Sequence, residues 1–509
     1  MTTIRLRVLI DNAPPTDLRG AFSGDEGITE IVCDSRKATA GSLFVAIRGA
    51  AADGHDYLLS AYRAGCRTFA VMQFCDTLPS DALQLRYDNT RQALSSLSAA
   101  FYRDPTKHLR VVGVTGTKGK TTTCLLAYAL LSAAGVPVGY IGTNGVLYDG
   151  HRETTANTTP ESLILQRIAR DMVDCGVKVL LLEVSSQALI QYRVENVIFD
   201  TVVYTNLYRD HIGPNEHPDF DAYKAAKRSL FTNFSVRTMI LNADDPHAEE
   251  MLNGSAPGEK LLQYSTEGSP VAEICASTIT PTLLQSGQPG ITFTLNAPKI
   301  HHAKAELPLP GKYNVGNALA ALAICSSLGI SLHDALRHLP SASIPGRCER
   351  IAHPIGASIV IDYAHNEKSL LELLLTMREY LPAGGKLLLL FGSVGERTKE
   401  RRASMGAVAS LHADLCILTS DNPGTEEPMD IIHEIHRGFA KDIPCICIPN
   451  REEAILKAIS LVNEHDILIL AGKGHENYQL IGREKIPFSE REIVCRALST
   501  EDIISSQTR

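Results

Sequence analysis

The sequence carries no surplus of positive charge: 49 Lys and Arg stand against 57 Asp and Glu, a formal net charge of −8. That removes any electrostatic case for nucleic acid or for an anionic membrane surface. There is no apolar run long enough to cross a bilayer. Near the start the longest is Val8-Leu9-Ile10, before Asp11 and two prolines, so neither membrane insertion nor a signal peptide is expected. Twelve cysteines are scattered without one Cys-x-x-Cys pair, Cys445 and Cys447 lying closest. Neither a zinc site nor a disulfide framework is supported, and most thiols read as small core residues of a reduced, cytoplasmic protein.

What is present starts from length. At 509 residues the chain is too long for one core, and about three domains are expected. The most informative stretch runs from Leu109 to Thr123. A short β-branched run leads to Gly113, Gly116 and Gly119, then Lys120 and Thr121, and an Ala/Leu-rich helical segment follows from about Thr122 to Leu131. A strand feeding a glycine-rich loop that opens a helix is a phosphate cradle. Backbone N–H groups close around phosphate oxygens and the helix N-terminus adds positive potential. Lys120 would reach the terminal phosphates and the Thr121 hydroxyl would ligate Mg²⁺. The strict Walker spacing wants glycine at position 114, where Val114 stands. A nucleotide triphosphate is the expected ligand.

The rest of the chain alternates strands and helices. In the first 108 residues Ser35 and Gly49, taken alone, are turn residues. Asn157-Thr158-Thr159-Pro160 reads as a polar loop capping the next helix. The apolar strand Val177 to Glu183 ends in a carboxylate, as strands that hold Mg²⁺ after a phosphate loop do. Thr205-Asn206-Leu207 and Asp210-His211 close another strand, and Lys224 and Lys227 fall on the helix after it, where an unassisted lysine reads as a surface residue. Residues 253 to 310 suggest an antiparallel or irregular insert. Beyond 344, apolar runs at 359–361, 387–391, 415–418 and 467–470 each end in a polar cluster. Near-continuous apolar strands argue for a parallel sheet covered on both faces, whose ligands lie beyond the strand C-termini. The fold class is α/β in three domains: a small N-terminal α/β domain over 1–108, a central mostly parallel phosphate-loop domain over 109–343, and a Rossmann-like doubly wound domain over 344–509.

Taken together, Asp34-Ser35-Arg36, Gly116 to Thr122, Glu183-Val184-Ser185-Ser186, Thr205-Asn206-Leu207 with Asp210-His211, Asn314 to Ala321, Pro345-Gly346-Arg347, Asp362-Tyr363-Ala364-His365 and Gly472-Lys473-Gly474-His475-Glu476 resemble the Mur ligase family along nearly the whole chain. Within it the likeness is to the synthetases that add a diamino acid. The resemblance implies ATP-dependent amide ligation to the D-Glu of UDP-N-acetylmuramoyl-L-alanyl-D-glutamate through an acyl phosphate, by a cytoplasmic monomer. It implies that Gly116, Thr117, Lys118, Gly119, Lys120, Thr121 and Thr122 hold ATP, with Asn314 and Arg347. Thr121 and Glu183 would bind one Mg²⁺, and Glu183, His211 and a carbamylated Lys227 a second. Lys120, Glu183, His211 and Lys227 become the catalytic set. The UDP-sugar peptide would meet Ser35, Gly49, Thr158, Thr159, Ser185, Gln191 and Arg193. The free diamino acid would meet Arg397, Asp421, Asn422, Gly472 and Glu476.

The chain departs from the family pattern in places. Lys118 replaces a common Asn, Gln187 follows Glu183-Val184-Ser185-Ser186 where His is usual, and the segment from Asp210 to His217 is altered. Gly424 replaces the arginine that grips the second carboxylate of meso-diaminopimelate, so L-lysine or L-ornithine is expected over meso-diaminopimelate. The rivals are another ligase of the superfamily (D-Ala-D-Ala adding or folylpolyglutamate synthetase), a non-catalytic nucleotide-binding regulator, and a phosphate-loop kinase or GTPase. The last would want a guanine-reading Asn-Lys-x-Asp, which is lacking.

Overall fold

The computed structural model describes every residue except 1, 2, 50, 51, 211, 214, 215, 256–259, 286, 343, 397, 398, 508 and 509. The chain forms two compact units, Met1–Tyr264 with Ala320–Ile330, and Ser265–Leu319 with Ser331–Arg509.

The first unit opens with a five-stranded sheet in the order Asp17–Arg19, Leu83–Arg86, Thr68–Val71, Ser42–Val45, Glu30–Val32. The outer pair at Asp17–Arg19 is antiparallel and the rest are parallel. Side chains alternate across it, as the two-residue period demands. Leu43 and Val45 pack with Leu94 and Leu97 of helix Thr90–Phe101, while Phe44 packs with Phe69 and Leu58 on the other face.

Strand Arg110–Thr115 lies between Val179–Glu183 and Phe199–Tyr204, parallel to both. Val138–Gly142 extends this sheet on one side, and Thr238–Asn242 and Lys260–Ser265 on the other, again all parallel. Parallel pairing of continuous apolar strands places Thr115, Glu183 and Tyr204 at one edge, where loops gather. The helix after the phosphate loop runs Lys120–Ala133, two residues longer at each end than its apolar core indicates.

The second unit holds three antiparallel strands, Ile274–Leu283, Pro289–Ala297 and Ile300–Leu307, which are the insert expected from the turn-rich segment. Its six-stranded sheet runs Glu349–Ala352, Ser358–Asp362, Ile467–Ala471, Leu387–Phe391, Leu415–Leu418, Cys445–Cys447. All pairs except the first are parallel. Leu387, Leu389 and Phe391 face helices Glu367–Arg378, Glu400–His412 and Pro428–Arg437, while Leu388 and Leu390 face Arg451–Ile459 and Glu490–Gln507. Among the described residues no helix is long and apolar enough to cross a membrane.

Three expectations change. Of the twelve cysteines only Cys66, Cys124, Cys325, Cys348 and Cys416 are buried, so most are not core residues. Thr158 and Thr159 do not cap the next helix: its N-cap, Glu161, makes no side-chain cap bond, because the Thr159 hydroxyl is drawn to the Glu183 carbonyl instead. Lys227 is not a surface lysine but 1% exposed in helix Phe220–Thr232.

Candidate active site

The phosphate loop is pinned from the neighbouring strand. Thr117 donates its N–H to the Asn206 carbonyl at 2.9 Å, and Lys118 donates its N–H to Asn206 Oδ1 at 2.9 Å. The Thr205 hydroxyl donates to the Lys118 carbonyl at 2.6 Å. Gly116 has φ +150°, and a Cβ there would fall 1.9 Å from Thr205 Oγ1, so only glycine fits. Gly119 caps the helix with φ +86°, followed by Lys120 and the buried Thr121 and Thr122. Lys120 Nζ lies over the loop, donating to the carbonyls of Gly116 at 2.8 Å and Thr117 at 3.2 Å.

Lys227 Nζ donates to the same Gly116 carbonyl at 2.9 Å. Burial first, and then the charge of Lys120, hold its pKa well below the ordinary lysine value. Both effects favour the unprotonated amine. His211 lies outside the described residues, and so does Arg397.

Glu183 is fully buried at the end of its strand. Its Oε2 accepts from Thr121 Oγ1 at 3.0 Å and Thr143 Oγ1 at 3.1 Å, and its Oε1 from Tyr140 Oη at 2.5 Å and Thr143 N–H at 3.0 Å. Four donors fix this carboxylate against the first turn of the phosphate-loop helix. Hard oxygen donors of this kind suit Mg²⁺.

The residues expected to hold the sugar peptide converge on this carboxylate. Thr158 Oγ1 lies 3.2 Å from Thr143 Oγ1. Thr159 donates to the Glu183 carbonyl at 2.8 Å and accepts from Ser185 N–H at 3.0 Å. Arg193 donates to the Thr159 carbonyl at 2.9 Å and to Gln191 Oε1 at 2.7 Å. Glu161, which the sequence did not single out, pairs with Arg193 at 3.0 Å and with Arg91 at 3.4 Å, and Arg91 reaches the Arg48 carbonyl beside Gly49 at 3.2 Å. Ser35 starts the short helix Ser35–Lys37, where its carbonyl accepts the Ala38 N–H at 3.3 Å.

In the second unit Asn314 donates to the Pro310 carbonyl at 2.7 Å, and the Arg347 guanidinium lies over the Tyr363 ring at 4.9 Å. Asp421 and Asn422 follow strand Leu415–Leu418, and Gly472 follows Ile467–Ala471. Gly472 has φ +114°, and a Cβ there would sit 2.6 Å from Asp421 Oδ2. Asn422 donates to Glu476 Oε2 at 2.9 Å. Lys473, a second residue not singled out beforehand, is fully buried and donates to Asn422 Oδ1 and Glu476 Oε2, both at 3.0 Å.

With this geometry in view, known proteins decide the family. Residues 27–102 match the Mur ligase family catalytic domain, 114–325 the Mur ligase middle domain, and 346–474 the Mur ligase glutamate ligase domain. The UDP-N-acetylmuramoyl-L-alanyl-D-glutamate--2,6-diaminopimelate ligase of Chlorobaculum tepidum is 39% identical over 487 residues, 93% of each chain. The chain belongs to the Mur ligase family. It is an ATP-dependent ligase. The Clostridium botulinum protein of the same name is 36% identical over 474 residues, covering 92% of this chain and 94% of that one. A solved structure of a UDP-N-acetylmuramoyl-L-alanyl-D-glutamate--2,6-diaminopimelate ligase superposes with a TM-score of 0.69 at 28% identity over 98% of this chain and all of that one. The fold extends to the MurF ligase of Thermotoga maritima in complex with ADP, TM-score 0.60 at 18% identity over 93% and 97% of the chains. The Chlorobaculum tepidum and Clostridium botulinum relatives and the first of these solved structures are named for 2,6-diaminopimelate, which does not support the preference for lysine or ornithine drawn from Gly424.

Proposed function

We propose that this Mur ligase joins 2,6-diaminopimelate to the D-glutamyl carboxylate of UDP-N-acetylmuramoyl-L-alanyl-D-glutamate at the expense of ATP, in peptidoglycan precursor synthesis. The carrying observation is the Glu183 carboxylate, shared between Thr121 of the phosphate loop and the Thr143–Thr158 pair of the substrate loop. One anchor then serves both reactants, which favours a phosphoryl transfer between them.

A carboxylate is a poor electrophile. The γ-phosphoryl group of ATP passes to it, giving an acyl phosphate and ADP. The amine of the diamino acid attacks the acyl carbon, and phosphate leaves from the tetrahedral intermediate. In this reading the loop from Gly116 to Thr122 cradles the phosphates, Lys120 follows the moving charge, and Asn314 and Arg347 complete nucleotide binding. Thr121, Glu183, His211 and Lys227 would hold Mg²⁺, which when bound supplies positive charge against the phosphate oxygens.

The lowered pKa of Lys227 favours the unprotonated amine that carbamylation needs. Its lone pair attacks CO₂, an N–C bond forms, and a proton is released, converting a would-be cation into an oxygen donor. Ser35, Gly49, Thr158, Thr159, Ser185, Gln191 and Arg193 would hold the sugar peptide. Arg397, Asp421, Asn422, Gly472 and Glu476 would hold the diamino acid, Glu476 taking an ammonium and Arg397 a carboxylate. The division into substrate, nucleotide and amino-acid domains at 108 and 343 belongs to the same proposal.

A second reading, lysine or ornithine as the added residue, is favoured by one observation. Gly424 offers no side chain to a second carboxylate, and a Cβ there would stand 3.1 Å from the carboxyl carbon of Glu396. The Thr425 hydroxyl, and then its N–H, donate to that carboxylate and lower its pKa. One assay separates the readings: phosphate release from purified protein with ATP, Mg²⁺, the UDP-sugar dipeptide and single amino acids. Release with meso-diaminopimelate supports the main reading. Release with lysine or ornithine alone establishes the second, and none with any diamino acid sinks both.

A further inference from the structure

Lys473 lies on the loop after strand Ile467–Ala471, and its side chain is fully buried. Its ammonium donates to Asn422 Oδ1 and Glu476 Oε2 at 3.0 Å, and stands 3.6 Å from Asp421 Oδ1. The rings of Tyr478 and Phe488 lie 5.6 and 5.9 Å from Nζ. Such an ammonium is not offered to a substrate. Its effect is on the acids: Asp421 is 2% exposed, and Lys473 is a cation within reach of both it and the part-buried Glu476. Beneath them Arg451 and Glu490 form a closed pair at 2.8 Å, both side chains fully buried. Arg451 also donates to the carbonyls of Ser420 at 3.0 Å and Ala471 at 2.8 Å, the residues that lead into the two loops. Lys473 is the cation that lies between the two loop acids, Asp421 and Glu476.

We infer that Lys473 is a positioning residue that, by pairing with Glu476 and Asp421 and donating to Asn422, holds these side chains in the arrangement that receives the ammonium of the diamino acid. The inference rests on the reading that Asp421, Asn422 and Glu476 meet the diamino acid. It also explains how the loops hold their shape. Lys473 ties Asn422 to Glu476, and Asn422 Oδ1 in turn accepts the Leu480 N–H at 2.9 Å, so the two loops share one hydrogen-bonded frame.

The test is steady-state kinetics on the full chain with each substrate varied in turn. Lys473→Met is expected to raise KM for the diamino acid about tenfold or more, while KM for ATP and for the UDP-sugar dipeptide stays within about twofold. Adding Asp421→Asn to Lys473→Met removes one of the two like charges left facing each other once the cation is gone, and should bring KM back below that of Lys473→Met alone. An unchanged diamino-acid KM, an equal rise in all three KM values, or a double variant worse than the single one would overturn the inference. Should Lys473→Met not accumulate as folded protein, Lys473→Arg keeps the cation and is expected to hold KM within about threefold; a rise beyond about tenfold counts against the inference. Glu476→Gln is the control for the underlying reading. If it leaves the diamino-acid KM unchanged, the site has been misassigned; if it raises KM while Lys473→Met does not, only the role of Lys473 fails.

Discussion

Lys227 donates to the carbonyl of Gly116 at 2.9 Å, so a buried amine on one helix is held against the backbone of the phosphate loop. Lys120 donates to the same oxygen from the other side at 2.8 Å. Burial first, and then the charge of Lys120, lower the pKa of Lys227, which eases two amines onto one acceptor.

Lys227→Ala is therefore expected to cut phosphate release by about a thousandfold, and formate or acetate, entering the space left, to restore part of it. Full activity in the variant would remove the carbamate from the reaction. Intact-protein mass measured without acid should show the added CO₂ in the wild type and its loss in the variant.

Tyr140 orients Glu183 from behind, its hydroxyl 2.5 Å from Oε1. Tyr140→Phe removes that donor and leaves Thr121 and Thr143 in place. The Mg²⁺ concentration giving half-maximal activity should rise about tenfold, with a smaller change in turnover at saturating Mg²⁺. An unchanged Mg²⁺ titration would show that Glu183 needs no such support or does not serve a metal.

Gly116→Ala places a methyl group on the Thr205 hydroxyl and should abolish nucleotide binding, at a cost of about 2 kcal/mol or more in stability. Thr205→Ala in the same chain relieves the collision but not the constraint at φ +150°. Thermal unfolding should show partial recovery in the double variant. Complete recovery would mean that the contact alone mattered.

Arg402 is fully buried between Glu426, at 2.9 Å, and Glu434, at 2.6 Å. The Arg402 hydrogen bond, with the Glu396 N–H, pulls the Glu426 carboxyl from an ordinary 4.5 down to about 2. A depressed carboxyl contributes stability that is complete above its unfolded value and is lost as pH falls through the folded one. The gap in Tm between wild type and Glu426→Gln should be widest near neutrality and close between pH 4.5 and about 2. A gap independent of pH would show that the pair carries no titrating stability.

What the sequence disclosed depended on how local the cause was. The phosphate loop was legible because its glycines, Lys120 and Thr121 are consecutive in the chain and each has a local reason. The parallel sheets were legible because strands such as Leu387–Phe391 are apolar on both faces. Thr159 was misread as part of a cap because its true partner, the Glu183 carbonyl, is 24 residues away. Lys227 was illegible for the same reason, its acceptor lying 111 residues upstream. Lys473 sits inside a motif that was noticed, yet its burial follows from Asn422, 51 residues earlier, and from the Tyr478 and Phe488 rings. Gly424 shows a different limit: a missing side chain says what cannot be gripped there, not which substrate is used.

The hydroxyl of Thr159 donates to the carbonyl of Glu183, the residue whose side chain holds Thr121. A ligand that shifts Thr159 thus moves the peptide unit that aims the carboxylate, and a nucleotide that draws Thr121 pulls on the same unit from the far end. Such a link has one free energy, read equally from either side. By whatever factor the sugar peptide tightens the nucleotide through this link, the nucleotide tightens the sugar peptide.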